Sequence, residues 1–101
     1  MTSFRILPAA RAELREAVAW YQARRAGTGL ELMKEVRRAV SAIVEAPERW
    51  PRWSAKRAER KVLLRRFPYL VVYEIFGGEV VIKAFPHTRR RAAYWRGRSP
   101  K

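Results

Sequence analysis

The chain has no cysteine, a single histidine (His87) and only nine acidic side chains among its 101 residues. Without cysteine it cannot form a disulfide or a thiolate metal site, and a reducing compartment is permitted. One histidine and so few carboxylates supply neither a set of metal ligands nor a Ser-His-Asp arrangement. The sequence also has no G-x-x-x-x-G-K-[ST] or G-x-G-x-x-G phosphate loop. We therefore expect no metal and no cofactor.

Long apolar runs are missing as well. The start, MTSFRILPAARAEL, is interrupted by Arg5 and Pro8 and does not have the form of a signal peptide, and no segment reaches membrane-spanning length. We expect a cytoplasmic protein without membrane contact. Because 49% of the residues are hydrophobic and 101 residues leave no room for a second core, residues 1–101 are predicted to form a single domain.

Positive charge dominates the composition. Lysine and arginine number 23, and the formal net charge is +14. Residues 1–50 contribute +3, from nine basic and six acidic side chains, whereas residues 51–101 contribute +11, from fourteen and three. A field of this size favours a polyanionic partner, which can be nucleic acid, a nucleoprotein or an acidic protein.

The first part of the chain predicts a short strand and a helix. FRIL, residues 4–7, suits a strand, and Pro8 suits the first position of a helix, where its missing N–H costs nothing. Apolar residues then recur at helical spacing and predict the face that packs on the core. This stripe consists of Ala10, Leu14, Ala17 or Val18, and Tyr21. The residues off the stripe are Glu13, Arg15, Glu16 and Gln22.

A second helix is predicted after AGTG, residues 26–29. Thr28 and Glu31 have the T-x-x-E spacing of a capping box, so the helix should begin there and run to Pro47. Its apolar stripe is Met33, Val36, Val40 and Ile43. The residues expected to face away from the core are Lys34, Glu35, Arg37 and Arg38. Two helices joined by a short glycine turn form an antiparallel hairpin.

The rest of the chain predicts three strands after a basic loop. PERWPRWSAKRAER, residues 47–60, is the loop, whose tryptophans either fill the core or lie exposed. KVLL, YLVVYEIF and EVVIKAF have strand composition, and Gly77-Gly78 fits a primed turn between the last two. The order β-α-α-β-β-β indicates an α+β fold: an N-terminal strand, an α-helical hairpin and a three-stranded antiparallel meander. A short C-terminal helix from Arg89 onward would be ended early by Gly97 and Pro100.

The side chains that remain allow two kinds of function. Arginine, lysine, histidine and tyrosine can hold phosphate and transfer protons without a metal, which suits RNA cleavage. The same residues suit binding without any reaction, because arginines interleaved with aromatic rings hold phosphates and stack on bases. The residues alone leave both functions open.

Five segments, in order along nearly the whole chain, carry a family resemblance. They are AELREAVAWYQ, GLELMKEV, the proline-tryptophan loop, RRFPYLVVYEI and VVIKAFPHTRRRAAYW. Together they resemble the RelE/ParE superfamily, the toxins of type II toxin-antitoxin modules. The resemblance implies a small α+β fold with a twisted sheet. It also implies a cognate antitoxin, whose C-terminal segment wraps and neutralises the toxin; an acidic antitoxin would complement the positive charge.

The superfamily has two activities, and the resemblance is closer to one of them. RelE-like members cut mRNA in the ribosomal A site with basic residues and a tyrosine, whereas ParE-like members inhibit DNA gyrase. Lys61 matches one of the basic strand positions of RelE-like toxins, but the other two fall on Leu63 and Leu70. Because metal-free cleavage depends on such charges, the resemblance favours growth arrest by a ParE-like gyrase inhibitor.

Two alternatives stay open beside the gyrase inhibitor. One is a ribosome-dependent mRNA endonuclease that would act on ribosome-bound mRNA. The residues implied for its reaction are Lys61, Arg65, His87, Arg90 and Tyr94. The other alternative is a non-toxic nucleic-acid-binding module.

Two sets of contact residues are expected from the resemblance and the charge pattern. The target, or nucleic acid, is expected to contact Arg65, Arg66, His87, Arg89, Arg90, Arg91, Arg96 and Arg98. The antitoxin is expected to contact Leu14, Val18, Tyr21, Val36, Val40 and Tyr73. Within the C-terminal segment, Tyr94 and Trp95 are expected to fold back over the sheet, and His87 has a purely structural alternative as a strand-end residue bonded to the backbone.

Overall fold

A computed structural model of the chain describes residues 2–91 and 93–101. The elements follow one another as β1 (Phe4–Ile6), α1 (Pro8–Arg24), α2 (Thr28–Glu45), β2 (Arg60–Leu63), β3 (Leu70–Phe76) and β4 (Glu79–Ala84). This is the α+β order that the sequence predicts. Neither helix of the described residues is long and apolar enough to cross a membrane.

The four strands form one mixed sheet in the order β1-β4-β3-β2. Strands β2, β3 and β4 pair antiparallel as a meander, and β1 joins the outer side of β4 in parallel. At the turn between β3 and β4, Gly77 and Gly78 have φ angles of 60° and 77°. Two consecutive positive φ angles are typical of the primed hairpin turn, which glycine adopts without strain. The prediction of a primed turn at Gly77-Gly78 is confirmed.

The helical hairpin turns at Gly27, whose φ of 92° lies in the left-handed region. The predicted capping box is wrong, because Gly27 takes the N-cap position and Thr28 is already inside α2. Gln22 provides the cap instead: its Oε1 accepts hydrogen bonds from the N–H groups of Gly27 (3.0 Å) and Gly29 (3.2 Å). The end of α1 therefore satisfies two donors at the start of α2, as an N-terminal cap must.

The main core lies between the helical hairpin and one face of the sheet. The helices bury Ala10, Leu14, Ala17, Leu32, Val36, Val40 and Ile43. The predicted stripes are confirmed except in one turn of α2, where Leu32 is buried and Met33 is only partly covered. The two helices are in close contact at Gly29, because a Cβ there would lie 2.8 Å from the carbonyl oxygen of Val18. A larger residue at this position would push the helices apart.

The expectation that Glu35 faces away from the core is wrong. Its side chain is buried, and its Oε1 accepts hydrogen bonds from the backbone N–H groups of Arg65 (2.8 Å) and Arg66 (3.1 Å). These donors lie in the turn between β2 and β3. A buried carboxylate is tolerated here because backbone donors replace the water it has lost. Glu35 thus fixes the turn against α2.

Two tryptophans close the opposite face of the sheet. Trp95 is fully buried against Val72 and Ala84, and its ring meets that of Trp53 edge-on with centroids 5.1 Å apart. The prediction that Trp95 folds back over the sheet is confirmed. The other loop tryptophan, Trp50, packs against the main core. The loop before β2 therefore contributes one tryptophan to each face.

A buried ion-pair network lies under the same loop. A β-bulge leaves Lys83 of β4 without an opposite residue on β3. Its Nζ lies 2.7 Å from Glu59 Oε2 and 3.0 Å from Glu74 Oε1, and Glu59 also pairs with Arg57 at 2.8 Å. Each buried charge has a partner, without which its burial would be strongly unfavourable. The network ties the loop to the centre of the sheet.

The short C-terminal helix that the sequence allows is absent from the described residues. Residues 93–97 form turns, in which Arg96 N–H donates to the Ala93 carbonyl and Arg98 N–H to the Trp95 carbonyl. Ala93 has a φ of 58°, in the left-handed region, and such a residue interrupts a right-handed helix. Tyr94 packs against the same cluster as Trp95, and its hydroxyl also reaches Glu13 of α1.

Substitution of Glu35 tests whether it fixes the β2–β3 turn. We expect Glu35→Ala to lower the free energy of unfolding by about 1–3 kcal/mol, because two buried N–H groups lose their acceptor. Equilibrium urea unfolding measures this difference. Glu45→Ala, at an exposed position of the same helix, serves as the control and should change stability by less than about 0.5 kcal/mol. Equal effects of the two substitutions would contradict the role of Glu35.

Candidate interaction site at the end of strand β4

The segment after β4 continues the pairing of the sheet beyond the strand. Tyr69 and His87 form an antiparallel bridge, and the N–H of Thr88 donates to the carbonyl of Pro68 (2.8 Å). The backbone therefore leaves the sheet at a fixed point, directly before the arginines. We use the name basic edge for the four exposed arginines of this segment, Arg89, Arg90, Arg91 and Arg96.

The positive charge of the basic edge is not compensated within the described part of the chain. Six of the nine glutamates form ion pairs, and their cationic partners all lie outside the basic edge. In residues 2–91 and 93–101, none of the four arginines lies within 4.0 Å of a carboxylate oxygen. The edge can therefore attract an anionic surface of a partner.

His87 has a structural role at the start of this segment. Its Nδ1 accepts a hydrogen bond from the N–H of Arg89 (3.0 Å), and its carbonyl accepts one from the N–H of Arg90 (2.9 Å). Its ring meets the ring of Tyr69 edge-on, with centroids 5.1 Å apart. The imidazole thus holds the turn that presents the first two arginines, which agrees with the structural alternative raised for this histidine.

Glu13 of α1 binds the C-terminal segment from the helix side. Its Oε1 accepts a hydrogen bond from the N–H of Phe85 (3.0 Å), and its Oε2 accepts from the hydroxyl of Tyr94 (2.6 Å) and Nη2 of Arg98 (2.9 Å). Burial alone would raise the pKa of Glu13, but the hydrogen bonds from Arg98, Tyr94 and Phe85 outweigh it and lower the pKa below 4.5. Glu13 is therefore ionised at neutral pH.

The same contact fixes the protonation of Tyr94. Burial raises the pKa of this phenol well above its usual range, and the hydrogen bond and negative charge of Glu13 raise it further. Tyr94 consequently keeps its proton at neutral pH and donates it to the carboxylate. The guanidinium groups of Arg90 and Arg98 lie 4.1 Å and 5.3 Å from the centre of its ring. Such contacts attract a cation to the ring face.

A cleft of about 350 Å³ opens beside this contact, between α1 and the end of the sheet. Aromatic rings form much of its wall in a chain of edge contacts: Trp20 with Tyr21 at 4.9 Å, Tyr21 with Tyr69 at 6.3 Å, and Tyr69 with His87. The side chain of Trp20 is about half exposed. The remaining lining residues are Glu13, Glu16, Ala17, Phe85 and Arg90. An aromatic cleft with an exposed tryptophan is typical of a protein-binding site.

The residues of the nuclease alternative do not all line this cleft. His87 and Arg90 line it, but Lys61 does not; its Nζ lies 4.8 Å from the centre of the Trp53 ring, on the sheet face away from the helices. Arg65 is exposed on the β2–β3 turn and does not line the cleft either. General acid–base catalysis requires its groups to lie close together, and the cleft brings together two of the five.

The other arginines that are expected to contact the target differ in exposure and in the bonds that they make within the protein. Arg65 is exposed, and Arg66 is exposed although its Nη2 lies 2.7 Å from Glu31 Oε2. Arg98 is used within the protein, because its Nη2 binds Glu13 and its Nη1 donates to the carbonyl of Lys83 (2.9 Å). This guanidinium therefore holds the C-terminal segment in place, and its contact with the target stays a prediction.

Most of the residues expected to bind the antitoxin lie in the core. Leu14, Val36, Val40 and Tyr73 are buried and offer no surface to a partner. This part of the expectation is wrong, because an apolar helix stripe that packs on the sheet cannot also form a groove that binds a partner. Val18 and Tyr21, which complete the expected set, are only partly buried.

Sequence reasoning missed the role of Glu13, which it placed with the polar residues off the helical stripe. The missed signal is weak. The nine carboxylates of this chain are outnumbered by 23 lysines and arginines, and the C-terminal segment contains several arginine donors and one tyrosine. The spacing along α1 does not show that Glu13 is the residue that meets those donors. Glu16 lies three positions later on the same helix and has the same side chain, so the pattern does not distinguish the two.

The comparisons with known proteins agree with this geometry. The family model described as ParE toxin of type II toxin-antitoxin system, parDE, matches residues 4–92. Among solved structures, a chain of the chromosomal ParDE TA system from P. aeruginosa matches with a TM-score of 0.76. The two chains are 19% identical, and the match covers 86% of this chain and 96% of the other. Likeness at this level of identity shows the fold. Among curated proteins, none matches significantly.

The lowered pKa of Glu13 predicts a contribution to stability that acid removes. A carboxyl with a lower pKa in the folded than in the unfolded chain stabilises the fold above its unfolded pKa, and this contribution is lost as the pH falls through the folded pKa. We expect Glu13→Gln to be less stable than the wild type at neutral pH, and this difference to shrink as the pH falls below 4.5. Urea unfolding at a series of pH values measures it.

Glu45→Gln, which changes an exposed glutamate, is the control for this pH series. It should follow the wild type throughout. A difference between Glu13→Gln and the wild type that stays constant down to about pH 3 would contradict the prediction, because ionisation of Glu13 would then make no contribution.

Proposed function

The chain belongs to the ParE toxin family of type II toxin-antitoxin systems, and we propose that it arrests growth by inhibiting DNA gyrase in the cytoplasm. A cognate antitoxin neutralises it. The target is bound and not cleaved. On this proposal the basic edge contacts an anionic surface of gyrase, while the folded domain holds the four arginines in place.

The observation that carries the choice of mechanism is the hydrogen bond from Tyr94 to Glu13. A metal-free nuclease needs a group that can exchange a proton at neutral pH. The only tyrosine of the C-terminal segment keeps its proton, because burial and Glu13 raise its pKa, and its oxygen lies 2.6 Å from the carboxylate. Together with the position of Lys61 outside the cleft that His87 lines, this favours binding of a protein target over cleavage of mRNA.

The antitoxin is proposed to dock at the aromatic cleft. Trp20 and Tyr21 present apolar surface there, and the adjoining basic edge, whose Arg90 lines the cleft, favours an acidic segment. Side chains of this kind supply much of the energy of protein interfaces. An antitoxin segment in the cleft would also cover His87 and Arg90, so neutralisation follows from the position of the cleft beside the basic edge.

Replacement of the arginines tests the proposed target contact. We expect purified wild-type protein to inhibit gyrase supercoiling, and the triple variant Arg89→Ala/Arg90→Ala/Arg91→Ala to need about tenfold more protein for the same inhibition, because charged contacts at the interface are lost. A control variant, Arg25→Ala/Lys34→Ala/Arg37→Ala, removes the same charge from exposed positions of the helical hairpin and its turn. It should inhibit like the wild type.

The same preparations distinguish the nuclease alternative. Induced expression should stop growth while mRNA stays intact, and co-expression of the antitoxin should restore growth. Cuts in mRNA phased to codons, with gyrase unaffected, would overturn the proposed mechanism. Unimpaired growth at confirmed expression would contradict toxicity itself and leave the nucleic-acid-binding alternative.

A single substitution tests the docking of the antitoxin. We expect Trp20→Ala to weaken antitoxin binding by about 10- to 100-fold, since a half-exposed tryptophan in a cleft is a typical anchor at an interface. Isothermal titration calorimetry measures the affinity. Leu30→Ala, which removes an exposed apolar side chain from α2, is the matched control and should leave the affinity unchanged. Equal affinities of the two variants would place the antitoxin elsewhere.

A further inference from the structure

The C-terminal segment is fixed in position although residues 88–101 form no helix or strand in the part that the structure describes. Contacts of Trp95, Tyr94 and Arg98 hold it. Trp95 is buried in the cluster on the sheet face away from the helices, and the ring of Tyr94 packs against the same cluster while its hydroxyl donates to Glu13 of α1. The segment is therefore tied both to the sheet and to the first helix.

Glu13 binds three groups that are far away in the sequence. They are the backbone at the end of β4 (Phe85), the ring hydroxyl of Tyr94 and the guanidinium of Arg98. The carboxylate side chain is only 12% exposed. Because a carboxylate has two oxygens that accept several hydrogen bonds, it can satisfy all three donors at once. An amide, with one oxygen, cannot.

Glu13 is connected to the basic edge through the ring of Tyr94, whose hydroxyl it binds. Arg90 stacks on this ring at 4.1 Å and lines the cleft beside His87. Arg91 directly follows Arg90, and Arg96 directly follows the buried Trp95. The orientation of the arginines thus depends on a ring whose position Glu13 fixes.

The charge of Glu13 cannot be explained by attraction of a polyanion. A carboxylate beside the basic edge weakens its positive field, and a surface that acted only through its net charge would bind better without it. The ordering of the C-terminal segment by Glu13 offsets this loss of attraction. A segment that is already held in its binding geometry loses less entropy when it binds, and this pre-organisation increases affinity.

We propose that Glu13 is the positioning residue of the basic edge: it holds Tyr94 and Arg98 so that the four arginines are presented in the geometry that binds the target. This inference rests on the proposed inhibition of gyrase for its functional consequence. Its structural part, the ordering of the segment by Glu13, does not depend on the identity of the target.

Glu13→Gln tests the proposal with opposite expectations for ordering and for charge. The variant keeps the size of the side chain and raises the net positive charge by one. If Glu13 positions the edge, inhibition of gyrase weakens by about tenfold or more; if only charge matters, inhibition is unchanged or stronger, and the proposal is overturned. Glu45→Gln makes the same change of charge at an exposed helical position and should inhibit like the wild type.

Loss of stability is separated from loss of positioning by a core variant. Ile43→Val removes one methylene from a fully buried side chain and lowers stability without touching the C-terminal segment. Each protein is assayed at a temperature where it is fully folded. Inhibition like the wild type by Ile43→Val and weak inhibition by Glu13→Gln support positioning, whereas equal losses would mean that Glu13 acts only through stability.

Hydrogen exchange gives a measurement that does not need gyrase. In Glu13→Gln, the amides of Phe85, Arg96 and Arg98, all hydrogen-bonded in the wild type, should exchange about tenfold faster or more, while the amides of α2 keep their rates. Unchanged exchange at these three amides would overturn the proposal whatever the target is. Faster exchange together with a wild type that does not inhibit gyrase would overturn the proposed function and leave the ordering by Glu13 supported.

Discussion

The carboxylate of Glu13 is the contact on which the arrangement of the C-terminal segment depends. It joins the first helix to the end of the last strand and to the C-terminal segment, across 72 to 85 residues of sequence. In a chain with a net charge of +14, a segment with so many arginines would repel itself and extend into water. One largely buried anion with three donors offsets this repulsion locally. The exposed arginines can then have a defined geometry.

Two other glutamates serve the fold in the same way. Glu35 binds the backbone of the β2–β3 turn, and Glu59 pairs with the buried Lys83 and with Arg57. Burial alone would raise the pKa of Glu59, but its bonds to Lys83 and Arg57 lower it below the usual value, as for Glu13. The few carboxylates are thus used where separate parts of the chain meet. The positive charge that these carboxylates leave uncompensated lies at the surface. A strongly basic protein can therefore still have a well-packed core.

Periodicity in the sequence predicts the elements of this fold well, because periodicity reports which side of a helix or strand is apolar. It places the stripes of α1 and α2, the three strands and the Gly77-Gly78 turn. Periodicity does not predict the contacts of Glu13 and Glu35 or the cap made by Gln22. The pattern assigns every polar residue to the solvent side, and the partners of these three residues lie elsewhere in the chain. The candidate site is therefore only partly predictable: the arginines can be read from the sequence, but the group that orders them cannot. The antitoxin set failed for the related reason that an apolar stripe does not show whether its partner is the sheet or another chain.

The closed face of the sheet bears on the choice between binding and cleavage. Trp53 and Trp95 pack over the strands on the side where Lys61 lies, and Lys83 is neutralised below them by Glu59 and Glu74. The cations of this face are therefore occupied by aromatic rings or carboxylates, and a phosphate would have to displace them. The uncompensated arginines lie instead at the edge of the sheet, where a partner can reach them without any rearrangement of the core. A surface of this kind suits contact with a large anionic partner, because positive charge without a partner inside the fold attracts negative charge from outside.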